Sequence, residues 1–246
     1  MSSQTANAEV EGAAPFTAAR LGFWIAVALA VLTSTAFALG ITTPPRSGPL
    51  CTGPCITYPY AAAAPFFPRD YLWMYPGILL TPLFVVLMAC LHSFVEDGRK
   101  VFSRISLCFA SIAAAVITLD YLVQIEVIAP SLLKGETDAI ALFTQYNPHG
   151  IFIALEDLGY LMLSAAFFFA GAALSRTTKL ESAVRWNFQG SALLAYGCYV
   201  GLSWHFGPNL DYRFEITVIA IDWTALVIAG VLLSNFFRRI ARKSSA

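Results

Sequence analysis

Six uninterrupted apolar runs, each close to the length of a membrane-crossing helix, limit what this chain can fold into. They cover approximately Leu21–Ile41, Tyr71–Val95, Ile105–Ala129, Gly150–Leu174, Phe188–Phe206 and Phe214–Phe237. About 20 apolar residues in a helix span a hydrocarbon core roughly 30 Å thick. Barrel strands would alternate in polarity over about ten residues, and these runs do not. Helices also satisfy every backbone group internally, as the bilayer interior demands. Charged residues make up only 12% of the chain, against about 25% in soluble domains. The reading is an all-α integral membrane protein with a six-transmembrane-helix bundle over residues 21–237. A flexible arm, residues 1–20, precedes it, and a basic tail, residues 238–246, follows. The lipid bilayer is its first partner. A formal net charge of zero with no basic block excludes a nucleic-acid partner.

Lys and Arg set the orientation. Arg20, Arg99, Lys100, Arg104, Arg176, Lys179, Arg185, Arg238, Arg239, Arg242 and Lys243 fall on one side, and Arg46, Arg69, Lys134 and Arg213 on the other. The positive-inside rule therefore puts both termini in the cytoplasm of a multi-pass cell-membrane protein. The polar N-terminal arm lacks the basic and short apolar regions of a cleaved signal peptide, so the first run reads as a retained anchor.

The first outer loop is rich in Pro and aromatics. Cys51 and Cys55 lie in it four residues apart, and the turn formers Gly53 and Pro54 between them bring the sulfurs within reach. A structural disulfide suits an oxidising compartment; free thiols, or metal or redox chemistry, are the weaker readings. The aromatics from Tyr58 to Tyr75 read as an interfacial belt in preference to a lid folded over the bundle. In the outer loop between the third and fourth runs, Ala139, Leu142, Phe143 and Tyr146 form an i, i+3, i+4, i+7 stripe, which predicts a short interfacial amphipathic helix. Asn147 and Pro148 then read as the start of the fourth helix.

The informative residues are acids inside the runs: Asp120, Glu156, Asp157 and Asp222. Counted at about 1.5 Å per residue, each lies roughly 10–15 Å below the outer boundary. Three helices thus place carboxyls in one layer, with no Lys or Arg beside them. Each costs about 2.5–3.5 kcal/mol at the bilayer centre unless compensated. A carboxyl in low dielectric beside like charges tends to keep its proton, which makes it a candidate general acid. Asp120 and Asp222 are the expected acid and base, with Glu156 and Asp157 as a coupled pair. Gln124, Tyr160, Tyr196, Tyr199, Ser203, His205 and Trp223 are expected to line the pocket, because helical spacing puts them on acid-bearing or neighbouring faces. Glu126 and Glu215 sit near boundaries and read as snorkelling residues. The plainer alternative is that the acids simply tie helices together, at about 0.6 kcal/mol per bond.

Three functions compete. The leading one is a membrane-embedded enzyme doing acid–base chemistry on a lipophilic small molecule. A proton- or cation-coupled transporter or channel subunit comes second, weakened by the lack of an evident inverted repeat. The third is a non-catalytic subunit of a membrane complex, with a homo-oligomer or another membrane protein as partner. No cofactor is assigned. The runs hold no lysine for a retinal Schiff base, and His92 and His205 fall at opposite ends, unsuited to haem. Phosphate-loop, nucleophile-elbow and zinc-helix motifs are missing. A metal held by the four acids and His205 has no recognisable ligand spacing behind it, so none is assigned. The topology makes a direct prediction: a cysteine replacing Arg99 resists a membrane-impermeant thiol reagent on intact cells and reacts once the cells are opened.

Overall fold

The computed structural model describes residues 2–138 and 140–243. The apolar runs fold as helices, and no strand occurs among those residues. Six long helices follow one another: α1 (Ser2–Ile41), α2 (Met74–His92), α3 (Lys100–Val123), α4 (Ile151–Ala173), α5 (Lys179–Phe206) and α6 (Tyr212–Lys243). α3 continues through a π-turn at Gln124–Ile128 into Ala129–Lys134 and ends at Gly135. A capping box opens α5. The Thr178 side chain accepts from the Glu181 backbone N–H, and the Glu181 carboxylate accepts from that of Thr178, so two otherwise orphaned donors are satisfied.

Five helical stretches are long and apolar enough to cross a membrane: Thr17–Ile41, Arg69–His92, Asp97–Lys134, Ile151–Ala173 and Tyr212–Arg242. α5 is not among them. Its first turns carry Lys179, Glu181, Arg185, Asn187 and Gln189, and the apolar run begins only at Phe188.

Each helix packs on the next, and α6 returns to α1 to close a ring. α4 and α6 also meet across the middle. Small residues permit the closest approaches. A Cβ on Gly230 of α6 would lie 2.7 Å from the Ala26 carbonyl oxygen of α1. A Cβ on Gly159 of α4 would lie 2.4 Å from the Ile117 side chain of α3. The core between the helices is aromatic, with Phe84 edge-on to Phe167 and Phe167 stacked on Phe188 at 4.9 Å.

The outer loops differ from the sequence reading. The aromatics of the first loop mostly turn inward, so the lid reading replaces the belt. Tyr60, Tyr71 and Trp73 are buried, and only Tyr58 and Tyr75 of the series are strongly exposed. Tyr60 and Ala63 pack with Ile128, Leu132, Ile140 and Tyr146 in a small cluster over the end of α3. Gly48 makes the return possible: its φ is +67°, and a Cβ there would lie 2.8 Å from the Tyr212 ring. In place of the amphipathic helix there is a single turn, Ile140–Phe143. Its buried members are Ile140 and, beyond it, Tyr146, whereas Leu142 and Phe143 of the expected stripe are exposed; Ala139 lies outside the described residues. Packing against the folded-back loop outweighs the local period here. Asn147 likewise does not start α4. Its side chain binds the Ala141 carbonyl and the His149 N–H, and the helix begins at Ile151 after Gly150.

Gly230→Ala should destabilise the detergent-solubilised protein by about 1–3 kcal/mol through forced separation of α1 and α6. Gly190→Ala, on an open face of α5 with nothing within 4 Å, should leave the thermal transition unchanged or raise it.

Candidate functional site

Helical periodicity puts Glu156, Tyr160 and Ser164 on one face of α4 at i, i+4 and i+8. The bundle places that face against Tyr121 of α3 and against Asp222 and Trp223 of α6. Tyr121 Oη donates to Glu156 Oε1 at 2.7 Å. Having given its single proton, Tyr121 must accept from Tyr160 across their 2.9 Å contact. Tyr160 accepts in turn from Trp223 Nε1 at 3.0 Å. The result is a one-way donor chain, Trp223 to Tyr160 to Tyr121 to Glu156, buried throughout. Bonds aligned in this way polarise one another.

Glu215 lies one layer outward on α6. Its carboxyl lies close enough to Glu156 and Asp120 for their charges to interact. No N–H or O–H is directed at Glu156 Oε2, Glu215 Oε2 or Asp120 Oδ2. Two carboxylates in contact only repel; with one proton between them they make a hydrogen bond. Sequence reasoning missed Glu215. The available signal was spacing: it precedes Asp222 by seven residues, two helical turns, and so shares its face.

A cavity of about 490 Å³ opens beside this cluster, between the end of α1 and the start of α6. That is within the usual range for small-molecule sites, about 300–1,000 Å³. Glu215 and Trp223 line it, together with Phe37, Trp73, Tyr146 and Tyr212. Arg46 and Asp70 guard its rim as an ion pair at 3.0 Å. The Arg46 guanidinium also lies 4.0 Å from the centre of the Phe66 ring. Tyr146 Oη donates to Asp70 at 3.4 Å. Burial, then the neighbouring Tyr71 and Asp70, push the Tyr146 phenol far above its ordinary range, so it remains a neutral donor.

The other expected site residues distribute as follows. Asp222 is fully buried and accepts from Ser164 with both oxygens, at 2.9 and 3.1 Å. Asp157, next to Glu156 but partly exposed, has an Oδ1 without a donor. Gln124 points away from Asp120 and clamps the single-turn segment, donating to the Phe143 carbonyl and accepting from the Gln145 N–H. Tyr196 is exposed and donates to the Leu161 carbonyl; Tyr199, also exposed, packs edge-on to Phe214. His205 is exposed against Phe206, and Ser203 is half-buried beside it. None of these α5 residues lines the cavity. Cys51 and Cys55 sulfurs are 2.03 Å apart in the outer loop. Among the described residues, no three His, Cys, Asp or Glu side chains are arranged to hold a metal ion.

Comparison with protein-family models, with curated proteins and with solved structures finds no match.

The donor chain predicts non-additivity. Tyr121→Phe should destabilise the protein by about 1–3 kcal/mol, since it strands the Tyr160 hydroxyl and removes the donor to Glu156. In a cycle with Glu156→Gln, the coupling should be about 0.5–3 kcal/mol in thermal unfolding. A cycle with Thr178→Ala, in the capping box at the start of α5 and twenty-two residues beyond Glu156, should be additive.

Proposed function

We propose that this chain is a six-span cell-membrane protein, both termini cytoplasmic, that carries out acid–base chemistry on a lipophilic small molecule held in the outer half of the bilayer. The observation that carries the reading is the cavity ending on Glu215, with Glu156 and its donor chain directly behind. The sixth span is α5. Its outward residues Leu193, Leu194, Val200 and Trp204 are exposed and apolar, which suits lipid and not water. The two basic loops meet at one end, where Arg99 and Arg185 both donate to the Leu174 carbonyl. That is consistent with a common cytoplasmic side, and the Cys51–Cys55 disulfide then closes a turn on the outside.

Glu215 is the group that meets the substrate. Donors converge on Glu156 and none on Glu215, so a proton shared by the pair belongs on Glu215, ready for transfer to an alkene, carbonyl or similar acceptor. Glu156 is a positioning residue: it accepts from Tyr121 and, through the shared proton, orients Glu215. When the substrate loses a proton from a neighbouring carbon, the Glu215 carboxylate takes it up, and the enzyme returns to its starting state. Trp73, Trp223 and Phe37 present ring faces that favour transient positive charge.

The purified protein, incubated with a total membrane lipid extract in D2O, should place deuterium on carbon in a lipophilic species detectable by mass spectrometry. Glu215→Gln should lower that rate by about 10²–10⁴-fold while leaving the thermal transition near the parent's. Equal exchange by parent and variant would remove the acid–base role.

A further inference from the structure

The cavity is polar at one end only. Along α6 it runs from Tyr212 to Trp223, eleven residues or about 16 Å. Its charged and amide groups, Arg46, Asp70, Gln145 and Glu215, gather toward the outer mouth. Its floor is Phe37, Trp73 and Trp223, with ring centroids 5.9 Å apart for Phe37–Trp223 and 6.2 Å for Trp73–Trp223. The one polar atom of the Trp223 ring is already committed to Tyr160. Trp223 and Phe37 accordingly present only ring surface to the cavity.

Charge at the mouth is unbalanced. Arg46 is paired with Asp70, Arg69 donates to Thr42 and Thr43 at the end of α1, and Arg213 is paired with Asp211 while lying over Phe206. Each of these outer guanidiniums is engaged. Glu215, about nine-tenths buried, lines the cavity with no cation beside it; its Oε2 is enclosed and has no donor. Tyr146 and Tyr212 place aromatic rings beside it on the cavity wall. A carboxyl flanked by rings and lacking a counter-ion is a receptor for an ammonium group.

Building on the reading of this cavity as the protein's binding place, we infer that its ligand class is a single-chain amphiphile with an amine head. The head lies against Glu215, and the hydrocarbon tail descends to the Phe37–Trp73–Trp223 floor. A neutral amine takes the proton from the Glu215 oxygen onto its nitrogen, leaving an ammonium–carboxylate pair, and no other bond changes. Orientation matches that of an outer-leaflet lipid, head at the surface and tail inward, so the molecule need not invert on entry between α1 and α6.

The two floor tryptophans make the test direct. Trp24, Trp186 and Trp204 are exposed, and replacing all three by Phe leaves Trp73 and Trp223 as reporters. The probes are a long-chain primary amine brominated at its terminal carbon, the same amine brominated beside nitrogen, and the terminally brominated alcohol. The tail-brominated amine should quench saturably, at concentrations about tenfold below the alcohol, and more deeply than the head-brominated amine. Glu215→Gln should bring the amine to the alcohol's level without changing the alcohol, which also shows that the variant is folded. Ala220→Phe, which fills the cavity, should abolish saturable quenching. Equal potency of amine and alcohol in the parent would overturn the amine head and leave the cavity reading standing. Stronger quenching by the head-brominated probe would overturn the orientation. Absence of saturable quenching by any probe would overturn the inference and the cavity reading together.

Discussion

A carboxyl buried among apolar helices needs a cation, a donor or a proton of its own, and most of the site's architecture follows from how each acid meets that need. Asp70 has Arg46. Asp222 has the Ser164 hydroxyl. Glu156 has a chain of three donors reaching back through Tyr121 and Tyr160 to Trp223. Glu215 has none of these, and its neighbours are Glu156, Asp120 and an open cavity. Structural acids in bundles are normally satisfied, since unpaired ones carry the full desolvation penalty. Of the acids with an oxygen that no donor reaches, Glu215 is the one that lines the cavity.

The ring of helices explains why the cavity opens at only one end. At the opposite end, loops are short and cationic, and Arg99 and Arg185 close over the end of α4 by binding one carbonyl. At the cavity's end, the long first loop folds back, held by Arg46–Asp70 and by contacts from Ser47 to Tyr212 and to the Tyr146 carbonyl. That lid covers α3 but leaves the gap between α1 and α6 open. Apolar floor, aromatic walls and carboxyl therefore border one open gap between α1 and α6.

Much of this was legible in the residues. Run length and continuity gave α2 and α4 to within three residues at each end, whereas α1 and α5 begin nineteen and nine residues before their apolar runs. Glu156 stands out as an acid inside an apolar run, Tyr160 by its i, i+4 spacing to Glu156 and Trp223 by adjoining Asp222, and all three belong to the donor chain. What spacing could not supply was rotation about each helix axis. Tyr196, Tyr199 and Ser203 share a stripe, yet α5 turns it outward. Gln124 shares a face with Asp120, but the π-turn that begins at Gln124 carries its amide to the loop. Glu215 lies near a boundary by count, yet it is buried in the bundle. The aromatic loop misled for the same reason: its composition suits an interface, and its fate depends on a cluster with Ile128 and Leu132, more than sixty residues away in sequence.

The central claim is that Glu215 and Glu156 share a proton held at the cavity wall. Infrared difference spectroscopy of the parent against Glu215→Gln, recorded near neutral pH in H2O and D2O, tests it most directly. The account predicts a protonated-carboxyl stretch that shifts in D2O, is missing from Glu215→Gln, and is displaced when a long-chain amine is added. A parent spectrum without that band, or a band that survives Glu215→Gln unchanged, would contradict it.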